Sequence, residues 1–327
     1  MDGLTPFPTL LAPARRTLKA PIGCVGVGLH SGARVSLRLV PARAGSGIVF
    51  RRTDIGVDIP ARFDHVADTR LCTVLAEHAD GSGARIATVE HVMAALAGAG
   101  VHDAIVEVDA AETPVLDGSA ANFLFLLDCA GIGPAAGFVA PLAIEVLRPV
   151  RVSDGEGFAE LAPNHDAALD LSLSIDFAAA AIGRQALSLR LSPASFRAEL
   201  ARARTFTLLS EIEALRRAGL ALGGSLENAV VVDGPRVLNP SGLRSADEFV
   251  RHKLLDAVGD LALAGAPLRA RFSGHRSGHA LNNRLLRALF ADAANWRMVA
   301  DEEATGAAFG PLGAWSETTM KLAAAPV

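Results

Sequence analysis

Twice along this chain a run of strand-like segments gives way to helix-like ones. Between the two runs lies GIGPAAGFVAP (131–141), where glycine, proline and alanine crowd together without a period. Strands followed by helices, twice over, must layer sheet against helix in each part. The expectation is therefore an α+β fold of two similar domains, each a mainly antiparallel sheet layered with helices. The boundaries read as 1–14 for a flexible N-terminal extension interrupted by Pro6, Pro8 and Pro13, 15–137 for the first domain and 138–327 for the second. No residue-level repeat joins the halves, so the duplication rests on element order alone. Two layered domains facing each other leave a cleft, a common place for a site.

The elements themselves are read from period and punctuation. From Cys24, VGLHSGARVSLRLVPA and then SGIVFRRTD alternate with glycines at the turns, which predicts paired antiparallel strands. Thr88 reads as the N-cap of a helix with Val89, Met93, Leu96 and Ala97 on one side, ending near Gly98 and Gly100. VHDAIVEVD is a strand, and SAANFLFLLDCAG a helix that turns Leu124, Leu127 and Ala130 inward. In the second half LAIEVLRPVRVS, AALDLSLSIDF and ALSLRLS read as strands and SEIEALRRAGL as a helix. A strand pair around ENAVVVDG and RVLN follows, then EFVRHKLLDAVGDLALAG and NNRLLRALFADAANW as helices.

Bulk properties remove several classes of function. Net charge is -4 over 327 residues and the pI is near 6.1, which gives no general electrostatic reason to bind nucleic acid or an anionic surface. Three cysteines, Cys24, Cys72 and Cys129, are too few and too scattered for a disulfide framework or a thiolate zinc site, and they fit a reducing cytoplasm. The first residues lack the basic start and continuous apolar run of a signal peptide. No stretch is long and apolar enough to span a bilayer, and no obligate protein partner is evident.

Four places carry groups suited to chemistry. Glu90 and His91 are adjacent at a helix start and diverge by about 100°, so the imidazole can hold a metal while the carboxylate acts as a base; a first-turn dipole also favours such a pair. His252 and Asp256 lie four apart and stack on one helix face, as a two-ligand clamp or as a plain hydrogen-bonded pair. Asp260 continues that stripe after Gly259, which permits close backbone approach, and three such groups on an otherwise apolar helix are costly to bury without a purpose. His279, in a turn entering a helix, suits general acid work if Asp260 holds it charged, and is otherwise a solvent-facing turn histidine. Thr205 can donate to a developing oxyanion, and Gly223 and Gly224 can let backbone approach a ligand; an N-cap and a turn explain them equally.

Taken together, nine blocks in order give these segments a common meaning: GVGLHSG (26–32), RRTD (51–54), DTRLCT (68–73), TVEHVMAALAG (88–98), PVLDGSA (114–120), ARTF (203–206), LGGS (222–225), DEFVRHKLLDAVGD (247–260) and SGHALNN (277–283). In these blocks the chain resembles the UDP-3-O-acyl-N-acetylglucosamine deacetylases, zinc-dependent hydrolases at the committed step of lipid A biosynthesis. The resemblance implies one Zn2+ held by His91, His252 and Asp256 in the interdomain cleft, with Fe2+ suited to the same donors. It implies Glu90 as general base, His279 as general acid oriented by Asp260, Thr205 facing the oxyanion and Lys253 contacting substrate. For the acyl chain it points to Leu208, Leu209, Ile212, Leu226 and Val231, with Phe206 and Leu29 at the entrance and Ser225 in the LGGS turn. For the diphosphate and uridine it points to Arg276, Lys253, His30 and Phe177, although 178–180 is an alanine run where related sequences are polar. The implied partner is the small-molecule substrate, in the cytoplasm. A metal-stabilised carbohydrate-binding module without catalysis is the rival reading, in which Glu90 and His279 are dispensable.

Overall fold

The computed structural model describes residues 14–301, so nearly all of the expected extension at 1–14 lies outside the described residues. The first half builds a sheet from β1 (Ile22–Val27), β2 (Arg34–Pro41), β3 (Ile48–Arg52) and β4 (Val57–Pro60), then α1 (Glu90–Gly98), β5 (Ala104–Val108) and α2 (Ala121–Ala130). Sheet order is β1-β2-β5-β3-β4, with β5 inserted between β2 and β3, antiparallel to one and parallel to the other. The sequence predicts direct pairing of those neighbours. The structure differs because the strand after α1 returns to the sheet centre, where both of its edges are paired.

The second half begins with β6 (Leu142–Val146), β7 (Val150–Asp154), β8 (Gly157–Ala162), β9 (Leu169–Asp176) and β10 (Arg184–Arg190). A small three-stranded insert follows, β11 (Phe206–Leu208), β12 (Val230–Asp233) and β13 (Arg236–Val237), with α3 (Leu209–Arg217) inside it. Then come α4 (Glu248–Ala262), β14 (Leu268–His275), α5 (His279–Phe290) and β15 (Trp296–Ala300). Strand β14 is the hub of a seven-stranded sheet: it pairs with β8 on one side, β9 on the other, and β6 at its first residues. The residues now forming β8 and β14 carry no strand in the sequence reading, and the last helical segment stops at Phe290, its final residue Trp296 opening β15. The α+β class holds, and each of the two sheets is mainly antiparallel, with parallel pairs between β5 and β3 in the first and between β14 and both β6 and β9 in the second.

Helices α4 and α5 pack on the second sheet, α2 on β1, and α1 against both α2 and α4. The helices thus form the filling between two sheets. This explains why α1 has no wet face: Val92, Met93, Ala94, Ala95 and Leu96 are all buried, where the sequence predicts a one-sided stripe. Burying Val92, Met93 and Leu96 stabilises the seam by about 1.5–3 kcal/mol each. The seam is also tight at backbone level, since a methyl group on Gly259 of α4 would overlap the Glu90 carbonyl of α1.

Candidate metal centre and active site

Position 88 is the first departure from helix rules at the site. Thr88 is no N-cap: its φ is +59°, its hydroxyl donates to Glu112 at 3.1 Å, and α1 begins only at Glu90. A β-branched residue in the left-handed region is strained, and such strain persists where surrounding contacts over-determine it. Here it turns the chain so that Glu90 and His91 enter the seam side by side, 4% exposed each. Opposite them, α4 presents His252, Asp256 and Asp260, all 3% exposed or less.

Asp256 Oδ1 lies 3.3 Å from His252 Nε2 and 3.6 Å from His91 Nε2. One donor atom from each residue falls within 4.8 Å of the other two. Asp256 Oδ2 accepts a hydrogen bond from Lys253 Nζ at 2.9 Å, while buried Oδ1 has no hydrogen-bond partner. A buried carboxylate oxygen left without a donor, facing two imidazoles, fits a divalent cation. The tautomer is set as well. His252 Nδ1 contacts the Ala203 carbonyl at 3.1 Å; a carbonyl only accepts, so Nδ1 carries the proton and Nε2 keeps its lone pair toward the cluster. Burial pushes the His252 imidazole down to about 4, which keeps it neutral as a ligand must be. Burial raises the Asp256 carboxyl, but His252, Lys253 and His91 outweigh it and hold it well below the usual range.

Beside this cluster sits a second, proton-handling one. His279 Nδ1 donates to Asp260 Oδ2 at 2.8 Å, and His279 Nε2 lies 3.8 Å from Glu90 Oε1. Burial opposes the charged imidazole, yet Asp260 and Glu90 raise it to about 9. Glu90 moves upward too, chiefly by burial. Both shifts are upward: His279 is held protonated, ready to give a proton, while Glu90 becomes a stronger base than an ordinary carboxylate, so the two groups can divide acid and base roles. The two clusters share a 210 Å³ cavity lined also by Leu29, His30, Phe177, Thr205, Phe206 and Leu208. A larger cavity, 260 Å³, opens on other faces of α1 and α4 between Met93, Leu96, Val258 and Leu261, away from both clusters.

The family model for UDP-3-O-acyl N-acetylglycosamine deacetylase (LpxC) matches residues 15–291. The chain belongs to this deacetylase family. It is 48% identical over 293 residues to the UDP-3-O-acyl-N-acetylglucosamine deacetylase of Shewanella frigidimarina, covering 89% of this chain and 94% of that one. It is 46% identical over 307 residues to the protein of the same name from Idiomarina loihiensis, covering 93% and 98%.

In this member of the deacetylase family all eight residues expected to hold metal or move protons meet in one place: His91, His252, Asp256, Glu90, His279, Asp260, Thr205 and Lys253. The expected substrate contacts divide. Leu29, His30, Phe177, Phe206 and Leu208 line the cavity, where Phe177 meets Phe206 edge-on at 5.5 Å. Leu209, Ile212, Ser225, Leu226, Val231 and Arg276 do not. Val231 is 6% exposed in β12, Leu209 and Leu226 are exposed beside it, and Ser225 caps its own turn by accepting from Glu227 N. Arg276 reaches away to Glu156 at 2.5 Å. Nor do Gly223 and Gly224 wait for a ligand: Leu222 and Gly223 donate to the carbonyls of His30 and Leu29, and a methyl on Gly223 would overlap Gly28.

Other members of the site escape the sequence reading because they are ordinary residues in loops or, for Glu248, in the first turn of α4. Glu112 is buried and accepts from His30 N at 2.8 Å, Ser31 N at 2.9 Å and Thr88 Oγ1, tying the GVGLHSG turn to the start of α1. Glu248 is fully buried against Arg204, at 2.8 Å, and so fixes the 203–205 segment that supplies both the Ala203 carbonyl and Thr205. Thr73 touches Glu90 and Asp260 together. Spacing within the DTRLCT block carries no signal for that contact.

Proposed function

We propose that the chain hydrolyses the acetamide of UDP-3-O-acyl-N-acetylglucosamine to the free amine and acetate, the committed step of lipid A biosynthesis. The observation that carries the reading is the meeting of the His91, His252 and Asp256 donors with the Glu90–His279–Asp260 cluster in one buried cavity. His91, His252 and Asp256 would hold one Zn2+, with Fe2+ compatible with the same two nitrogens and one oxygen. Such an ion polarises the acetamide oxygen and lowers the pKa of water toward about 7.

The protein supplies the rest. Glu90, ionised, takes the proton of the attacking water. His279, charged by Asp260, steadies the tetrahedral intermediate and delivers its Nε2 proton to the departing amine nitrogen. Thr205 donates its hydroxyl to the oxyanion. Lys253 works first on Asp256, whose Oδ2 it neutralises, and its ammonium on the cavity wall also meets the substrate. Leu29, Phe206 and Leu208 begin the acyl path, which continues past Leu209, Ile212, Ser225, Leu226 and Val231 in the small three-stranded insert. His30, Phe177 and Arg276 serve the diphosphate and uridine. Arginine suits that role by its planar fork, once Arg276 exchanges Glu156 for phosphate.

The division at 137/138 into 15–137 and 138–327 belongs to the same proposal, since β1–β5, α1 and α2 precede it and the seven-stranded sheet follows it entirely. A cytoplasmic setting accords with three free cysteines, and no helix among the described residues is long and apolar enough to cross a membrane. The test is Glu90→Gln, with metal content and deacetylation measured on one preparation. The reading expects a full metal complement and turnover lowered about 10²–10⁴-fold. Wild-type turnover in Glu90→Gln would remove Glu90 from the base role, whereas a metal-loaded wild type that binds the sugar nucleotide without deacetylating it would favour a metal-stabilised carbohydrate-binding module.

A further inference from the structure

Thr73 is 2% exposed in the loop that follows Leu71, a residue held at φ +70° although its side chain is 52% exposed. The left-handed region is costly for leucine, by about 1–3 kcal/mol, and the loop keeps it while delivering Thr73 to the seam. There the Thr73 N–H donates to Glu90 Oε2 at 3.0 Å, and the Thr73 hydroxyl donates to Asp260 Oδ1 at 2.6 Å. Asp260 Oδ2 accepts from His279 Nδ1 and from Asn282 Nδ2, each at 2.8 Å, and His279 Nε2 faces Glu90 Oε1. The contacts close a ring: Glu90, Thr73, Asp260, His279 and back to Glu90.

We propose that Thr73 is a positioning residue that locks the proton-accepting and proton-donating groups to one another across the two halves of the molecule. This rests on the assignment of those roles to Glu90 and His279. One small residue of the first half, through two different atoms, sets the rotamer of a carboxylate on α1 and of another on α4. Threonine suits the task because its branched Cβ stiffens χ1 and so aims the hydroxyl. Without that hydroxyl, Asp260 Oδ1 is a buried charged oxygen lacking the donor that Thr73 supplies, and the carboxylate turns; the His279 ring hydrogen-bonded to it turns with it.

The test compares Thr73→Val, which keeps the shape and the backbone N–H, with Thr73→Ser, which keeps the hydroxyl. Expected for Thr73→Val are unchanged metal content, KM within about twofold, and kcat lower by about 10- to 100-fold, the range carried by one hydrogen bond to a charged group. Thr73→Ser should recover kcat to within about threefold of wild type. In an Asp260→Asn background, Thr73→Val should add less than about threefold, because residues acting through one another are not additive. The His279 Nδ1–H proton resonance should persist in wild type and Thr73→Ser and be lost in Thr73→Val. If Thr73→Val does not fold, Thr73→Ala serves as the hydroxyl-free variant. Wild-type kcat without the hydroxyl, a serine variant as slow as valine, or fully additive losses overturn the proposal. Should Glu90→Gln also keep wild-type kcat, the role assignment itself has failed, and the two failures are thereby told apart.

Discussion

Asp256 offers one oxygen to a lysine and keeps the other bare, and that asymmetry distinguishes a ligand from a plain ion pair. Asp256→Asn preserves shape but removes the charge. Measured by elemental analysis and chelator competition, metal affinity should fall by more than the 10–100-fold typical of losing a mere outer partner. The acid and base make a second prediction. In the proposed roles Glu90 works ionised, so activity is lost as pH falls through its elevated pKa, and His279 works protonated, so activity is lost as pH rises through about 9. The pH profile of kcat/KM should therefore be a bell, and His279→Gln should remove its alkaline limb. A rate still climbing at pH 10 would contradict the assignment. The charged residues of this site are legible in the sequence through the nine matching blocks, since each alone fits a helix-start pair, a plain hydrogen bond or a turn histidine equally well, and only the stripe on α4 is costly to bury without a purpose. Thr73, Thr88 and Glu112 are not, since their roles come from strained loops that meet only in the folded chain.

At the scale of elements, the approach of α1 to α4 rests on a missing side chain. Alanine at an exposed helical position stabilises by about 1 kcal/mol relative to glycine. At Gly259 the added methyl meets backbone, which cannot swing aside, so Gly259→Ala should destabilise by about 1–3 kcal/mol and lower metal content with it. Calorimetry beside elemental analysis checks both, and a gain in Tm would refute the packing. Helices α2, α3 and α4 follow the segments read from their 3.6-residue period, because each keeps distinct inner and outer faces or a charged stripe. Strand β14 alternates as well, with Leu268, Ala270 and Phe272 buried between arginines, but its charged outer face and the following Gly-His turn conceal it. The place of β5 between β2 and β3 is fixed by distant pairing and leaves no local trace.

For the whole molecule, one apolar cluster runs from Leu37 and Phe50 of the first sheet through Val92 and Leu255 to Phe272 of the second. Two halves that share a core lose it together, so heating should give a single calorimetric transition rather than two. The expected metal binds only where both halves are closed. A chelator should therefore lower Tm, by roughly 5–10 °C if the ion was present at a hundredfold excess over its Kd, equivalent to about 2.7 kcal/mol. Separate transitions, or a Tm indifferent to chelation, would count against a shared seam.

The proposed ligand set takes one residue from α1 and two from α4, with a consequence beyond catalysis. Opening the seam and releasing the ion become a single event. A cell short of the metal would then hold a population that breathes along this joint and offers its apolar filling to chaperones and proteases. Enzyme abundance, and not only enzyme rate, would follow the supply of the ion.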